Sequence, residues 1–185
     1  TWLDLPVSPG LKALKNPYSV AARISLGQQG QFSFWDHAFY HGKYYCYFGV
    51  IPAIVFFMPY QLFTGHYLTT GRAVLIAIII GCIFATLLVV RIAKLYFQDA
   101  SLAATLVAIW ILMFGTATLQ EIFIANFYTV PQASSYMFTV IALWCWLKSI
   151  KKRRGRRGGN YISPWWIFFG SLFMACNVGC RPQFV

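Results

Sequence analysis

Charge is scarce in this chain. Only 10% of its 185 residues are charged, whereas hydrophobic residues make up 59%. Soluble domains carry about 25% charged residues. The shortfall excludes an ordinary soluble fold, because a chain of this size encloses too little interior to hide so much apolar surface. Lipid is the solvent that the composition requires. Soluble catalytic patterns are also missing: no nucleotide-binding glycine loop, nucleophile elbow or paired-cysteine metal site occurs. The cysteines, Cys46, Cys82, Cys145, Cys176 and Cys180, are odd in number and lack zinc spacing. The last four lie inside apolar runs, where cysteine acts as a small hydrophobe.

What charge there is has one sign. The formal net charge is +11. The basic residues concentrate in residues 148–157, between two apolar runs. Such a run reads as a cytoplasmic topogenic loop that also touches anionic headgroups, so a nucleic-acid partner is not expected. Thr1 in place of Met, and an apolar run just before Val185, predict a longer protein with at least one helix upstream and several downstream.

Residues 1–43 mix Pro, Gly, Asn, Gln and scattered charge, which predicts an extracytoplasmic loop region with short surface helices. Residues 44–63, YYCYFGVIPAIVFFMPYQLF, are uncharged but interrupted by Gly49, Pro52 and Pro59. Their tyrosines favour the membrane interface, so an interfacial or re-entrant helix is expected, with a full span as the alternative. Residues 73–185 then predict four transmembrane helices, at about 73–90, 100–119, 131–147 and 162–180. A helix of about 20 residues rises roughly 30 Å, the thickness of the hydrocarbon core. Pro131 and Pro164 suit first helical turns, where a missing N–H costs nothing.

Lys and Arg counts set the orientation. Residues 91–99 and 148–160 hold Arg91, Lys94, Lys148, Lys151, Lys152, Arg153, Arg154, Arg156 and Arg157, whereas residues 120–130 hold none. Residues 91–99 and 148–160 are therefore expected in the cytoplasm, and residues 1–43 and 120–130 outside. The expected fold class is all-α: a polytopic transmembrane helix bundle, multi-pass in the cell membrane, with an outer-face loop carrying short interfacial helices. Small residues such as Gly81, Ala85, Gly115, Ala117 and Gly170 are expected to seat helix contacts.

Three regions that carry candidate chemistry share the expected outer face. FWDHAFYHGKYYCYFG, residues 34–49, gathers Asp36, His37, His41 and Lys43 among aromatic rings. With His41 one helical turn beyond His37, the cluster suits a general base or a divalent cation held by Asp36 and His37. It equally suits a water-facing aromatic loop. LQEIFIANFYTVPQASSY, residues 119–136, places Glu121 beside Gln120 at the end of an apolar helix. A carboxylate at membrane depth is costly, so Glu121 is either a functional group or a marker of the water boundary. GCRPQ, residues 179–183, places Arg181 after about nineteen uncharged residues. Its guanidinium suits bidentate phosphate binding or interfacial anchoring.

The order of these pieces resembles the GT-C superfamily of membrane glycosyltransferases, near its protein O-mannosyltransferase and aminoarabinose-transferase branch. GKYYCYFGVIPAIVFFMPYQLFTG resembles the family's tyrosine-rich stretch that leads through proline into the next helix. GRAVLIAIIIGCIFATLLVVRIAKLYF is similar to the helix that follows, YTVPQASSYMFTVIALWCWL to the next but one, and GCRPQ to the Arg-Pro closure after it. The likeness covers roughly residues 35–183. It implies transfer of a sugar from a polyprenyl-phosphate-linked donor to a cell-envelope acceptor on the extracytoplasmic side. It also implies Asp36 as catalytic carboxylate or metal ligand, Arg181 as phosphate partner, and Arg72 and Lys43 as second choices. Glu121 is the other catalytic candidate, and His41 and Tyr45 are further substrate-binding candidates. The acidic pair that many relatives carry after their first helix is missing, since NPYSVAAR, residues 16–23, holds no carboxylate. The alternative is a non-enzymatic multi-pass protein such as a lipid carrier or transporter. The uncharged centres of the first two spans argue against that, because transporters break their helices near the midplane.

Overall fold

A computed structural model describes all residues except 1, 4, 32, 35–36, 46–47, 116–117, 153–159 and 182–185. The chain divides into two compact units, residues 1–48 and 49–185.

In the first unit, β1 (Trp2–Leu3) is followed by α1 (Pro9–Ala13), α2 (Val20–Gln28), β2 (Ala38–Tyr40) and β3 (Lys43–Tyr45). The strands form an antiparallel sheet in the order β1-β3-β2. The side-chain hydroxyls of Ser8 and Ser19 cap α1 and α2 by accepting backbone N–H bonds. Leu11, Leu26, Phe39 and Tyr44 make the small core. Tyr18 fastens it: its hydroxyl donates to the Phe39 carbonyl and accepts from the Phe39 N–H, both at 2.9 Å. Arg23 is buried, donating from Nε to the Pro17 carbonyl at 2.5 Å and from Nη1 to the Phe34 carbonyl at 3.2 Å.

This unit corrects two expectations. Residues 1–43 contain strands as well as short helices, and Lys43–Tyr45, at the start of the expected interfacial helix, is a strand. His37 and His41 are not one helical turn apart, because β2 runs between them. His41 (φ 45°) and Gly42 (φ 73°) form the two-residue turn that joins β2 to β3. Positive φ at both positions is the twist-matched geometry of a tight hairpin.

In the second unit, a π-helical turn (Ala53–Phe57) continues into α3 (Met58–Thr64) and ends on Gly65 in the left-handed region, φ 69°. Then come α4 (Thr70–Tyr96), α5 (Leu102–Phe114), α6 (Thr118–Phe123) and α7 (Thr129–Ser149). A hairpin of β4 (Ile150–Lys152) and β5 (Asn160–Ile162) leads to α8 (Pro164–Val178). At 27 residues α4 rises about 40 Å, and it is the one helix among the described residues long and apolar enough to cross a membrane. The helix continues through Arg91 and Lys94, since neither residue disfavours helix. The expected span 100–119 is instead two helices. α5 stops at Gly115 after 13 residues, and the Thr118 hydroxyl donates to the Met113 carbonyl at 2.7 Å across the break. α8 is also shorter than 162–180, because Ile162 is held in β5 and Pro164 opens the helix.

α7 is the centre of this unit. It is packed between α4 and α8, and it carries more of the unit's buried residues than any other element. Pro131 falls in its first turn, as expected. α4 and α7 run parallel: Gly81 lies against Tyr136, Phe84 against Trp144, and the Arg91 guanidinium donates to the Ile150 carbonyl at 3.0 Å. α7 and α8 run antiparallel: Trp144 meets Trp166, Phe138 stacks on Phe173, and the Asn177 amide donates to Thr139 Oγ1 at 2.9 Å. Gly81 and Gly170 let these helices close, since a Cβ at either would strike an aromatic ring of α7. The faces turned away from α7 are apolar and exposed, among them Ile79 and Ile83 of α4, Leu102 and Trp110 of α5, and Trp165 and Phe168 of α8.

Candidate functional site

The two ends of the α4–α7–α8 bundle differ. One holds the end of α4, the end of α7 and the β4–β5 hairpin, with Arg91, Lys94 and Lys148 and, among the described residues, a single acidic group, Asp99. The other holds the start of α4, the α6–α7 turn, the start of α7 and the end of α8. Three of the sequence candidates, Arg72, Glu121 and Arg181, share this second end.

Its turn is built locally. The Asn126 side-chain oxygen accepts from the backbone N–H groups of Tyr128 (2.8 Å) and Thr129 (3.1 Å). In return the Thr129 hydroxyl accepts from the Asn126 N–H at 2.9 Å and donates to the Asn126 carbonyl at 2.8 Å. This reciprocal cap satisfies orphan donors at the start of α7 and fixes the turn from α6. Between the two helices lies a recess of about 230 Å³, lined by Gln120, Glu121, Ile124, Asn126, Tyr128, Thr129 and Gln132. Gln120, Asn126 and Gln132 bring amides to the lining and Tyr128 and Thr129 hydroxyls, and no cationic side chain is among the lining residues.

Glu121 is the one acidic group of the recess. Its Oε2 is buried and has no hydrogen-bond partner. Burial without a compensating cation pushes its carboxyl above the usual carboxylate range. A carboxyl so placed holds a proton more tightly than an exposed one.

The other two candidates flank this recess end without lining the recess. Arg72 stands exposed in the first turn of α4, where a positive charge opposes the helix dipole. Its neighbour Gly71 comes close to Ala125 of the α6–α7 turn. Arg181 follows α8, with its N–H donating to the Asn177 carbonyl at 3.3 Å and its buried Nε lacking a hydrogen-bond partner. The end of α8 is held by the chain that enters the π-helical turn. Gly49 N–H donates to the Cys180 carbonyl at 3.0 Å, and Ile51 N–H to the Gly179 carbonyl at 3.3 Å.

The remaining candidates belong to the first unit. Asp36 lies outside the described residues. The His37 ring packs edge-on against Phe34 and Tyr44, and the His41 ring against Tyr40. Lys43 is exposed and Tyr45 partly buried, both on β3. Among the described residues no three His, Cys, Asp or Glu side chains gather to hold a metal ion. Of the expected cation pair, only His37 is described, partly buried with its ring against Phe34 and Tyr44.

Asn126, Tyr128, Thr129 and Gln132 are site residues that sequence reasoning did not single out. The available signal was the Asn-Phe-Tyr-Thr sequence before an apolar helix, since Asn followed three residues later by a side-chain acceptor marks a helix start. Comparison of the chain with known protein families, with curated proteins and with solved structures finds no match.

Proposed function

We propose that this chain is part of a polytopic membrane glycosyltransferase that moves a sugar from a polyprenyl-phosphate-linked donor to a cell-envelope acceptor. The observation that carries the reading is the half-buried Glu121 carboxyl, its buried Oε2 without a hydrogen-bond partner, in a recess to which amides and hydroxyls contribute. Neutral hydroxylated ligands are held by such groups, and a carboxyl of raised proton affinity suits a general base. The apolar outward faces of α4, α5 and α8 support a bilayer setting, with α7 as an inner helix shielded from lipid. On this reading α4, residues 100–119, α7 and α8 are the four crossings, Glu121 lies just beyond the second of them, and its end faces outward.

The reaction follows from these parts. The Glu121 carboxylate takes the proton of the acceptor hydroxyl; the family resemblance alone designates Asp36 for that role. The acceptor oxygen bonds to the anomeric carbon as the bond from that carbon to the phosphate oxygen breaks. The electron pair leaves with polyprenyl phosphate, whose charge Arg181 and Arg72 offset. The full-length protein in proteoliposomes with a polyprenyl-phosphate sugar provides the test. Glu121→Gln and Asp36→Asn each alter one carboxylate, and loss of a positioned base costs about 100- to 10,000-fold in rate. Undiminished transfer by both variants refutes the mechanism.

A further inference from the structure

The opposite end of the bundle carries a second feature. Leu88, Ile92 and Tyr96 of α4, one stripe at four-residue spacing, face Leu143, Trp146 and Leu147 of α7 across an apolar groove of about 490 Å³. The groove reaches Ile150, where the chain leaves α7 for the hairpin. Arg91 stands at this point. One terminal nitrogen of its guanidinium donates to the Ile150 carbonyl at 3.0 Å, while its buried Nε has no hydrogen-bond partner. Lys94 lies one turn beyond on α4, and Lys148 holds its ammonium 4.2 Å from the ring centres of both Trp144 and Trp166.

A slot lined almost entirely by apolar groups suits a hydrocarbon chain. A peptide segment would bring backbone groups that the groove cannot satisfy. At the end of the slot, the partly exposed Arg91 guanidinium, held in place by the Ile150 carbonyl and charge-complementary to an anion, suits a phosphate oxygen. The two chemistries, one after the other, are those of a single amphiphile. We propose that the α4–α7 groove binds an anionic phospholipid, with one acyl chain along Leu88, Ile92 and Leu143 and the phosphate on Arg91. The proposal rests on α4 and α7 crossing the bilayer and is independent of the sugar-transfer reading. It assigns the basic end a specific lipid contact in addition to its part in orienting the chain.

The test is lipid retention by the full-length protein in detergent, read by native mass spectrometry. Dioleoyl phosphatidylglycerol and dioleoyl phosphatidylcholine are added at equal concentration, so that only the headgroup differs. A basic residue near an anionic headgroup contributes about 1 kcal/mol, so phosphatidylglycerol is expected to be preferred about fivefold. Arg91→Gln should abolish the preference and Arg91→Lys should keep most of it. Leu143→Trp, at a half-exposed position, should fill the slot and reduce retention of both lipids. Should Arg91→Gln fail to fold, Arg91→Lys and Leu143→Trp decide the matter. Unchanged preference in Arg91→Gln, or unchanged retention in Leu143→Trp, overturns the proposal. So does equal binding of inorganic phosphate alone, which would make the site one for a free anion. Absence of retained lipid, as when another part of the protein covers the groove, overturns it as well.

Discussion

Replacing Gly170 with alanine adds one methyl group where α8 meets α7. Its Cβ would press on the Trp146 indole and stand 3.0 Å from the Ala142 carbonyl oxygen. The carbonyl belongs to helix backbone and cannot rotate away, so the helices must part. Insertion of a methyl into a packed interface costs about 1–3 kcal/mol. Alanine returns up to about 1 kcal/mol of helix propensity. Gly71→Ala supplies the control, because a Cβ there meets only the Ala125 methyl, at an ordinary contact distance of 3.8 Å. Both variants exchange glycine for alanine in a helix, so most of the propensity gain cancels between them. The expected difference is therefore about 1–3 kcal/mol in favour of Gly71→Ala. Equilibrium unfolding of the full-length protein in mixed detergent micelles measures it, with tryptophan fluorescence as the readout. Equal stability of the two variants would refute the close α7–α8 packing at Gly170.

Two further outcomes follow from the Glu121 end. The Glu121 carboxyl is raised above its ordinary value of 4.5 in the folded chain, so the folded state binds the proton more tightly than the unfolded state. Stability then falls as pH rises from the ordinary value through the raised one. Glu121→Gln should remove that part of the pH dependence and leave the protein more stable at neutral pH; an unchanged pH profile would contradict the burial of this group. Gly49→Ala would place a Cβ on the Gly179 carbonyl and break the pair of hydrogen bonds that hold the end of α8. Each net bond is worth about 1 kcal/mol, so faster amide exchange at Gly49, Ile51 and the last turn of α8 is expected, and unchanged protection would refute the clamp.

The helices were legible where composition alone decides. Nothing between Arg72 and Arg91 interrupts the apolar run, and Pro131 and Pro164 mark starts that the backbone accepts. Gly81 and Gly170 read correctly as contact positions. The failures have local causes. The length of the apolar run 100–119 concealed the break at Gly115, because hydropathy does not register where backbone bonds stop. The basic run 151–159 concealed the β4–β5 pairing, since charge dominates its composition. The His37–His41 spacing matched a helix, yet alternating aromatic residues around His41-Gly42 carried the stronger hairpin signal. Of the candidate site, Glu121 was visible as a carboxylate beside an apolar helix. Its partners were not, because Asn126 and Gln132 join the recess only through the cap that folds α6 onto α7.

The central claim is that the Glu121 end of the helical bundle faces outward and the basic end inward. Sided labelling tests it most directly. In a full-length protein freed of cysteine, the five of this chain included, single cysteines replace Ile124, in the turn between α6 and α7, and Gln98, between α4 and α5. Both positions are exposed. An impermeant maleimide added to intact cells should label Ile124→Cys, and should label Gln98→Cys only after the membrane is opened. Labelling of both from the same side would contradict the account.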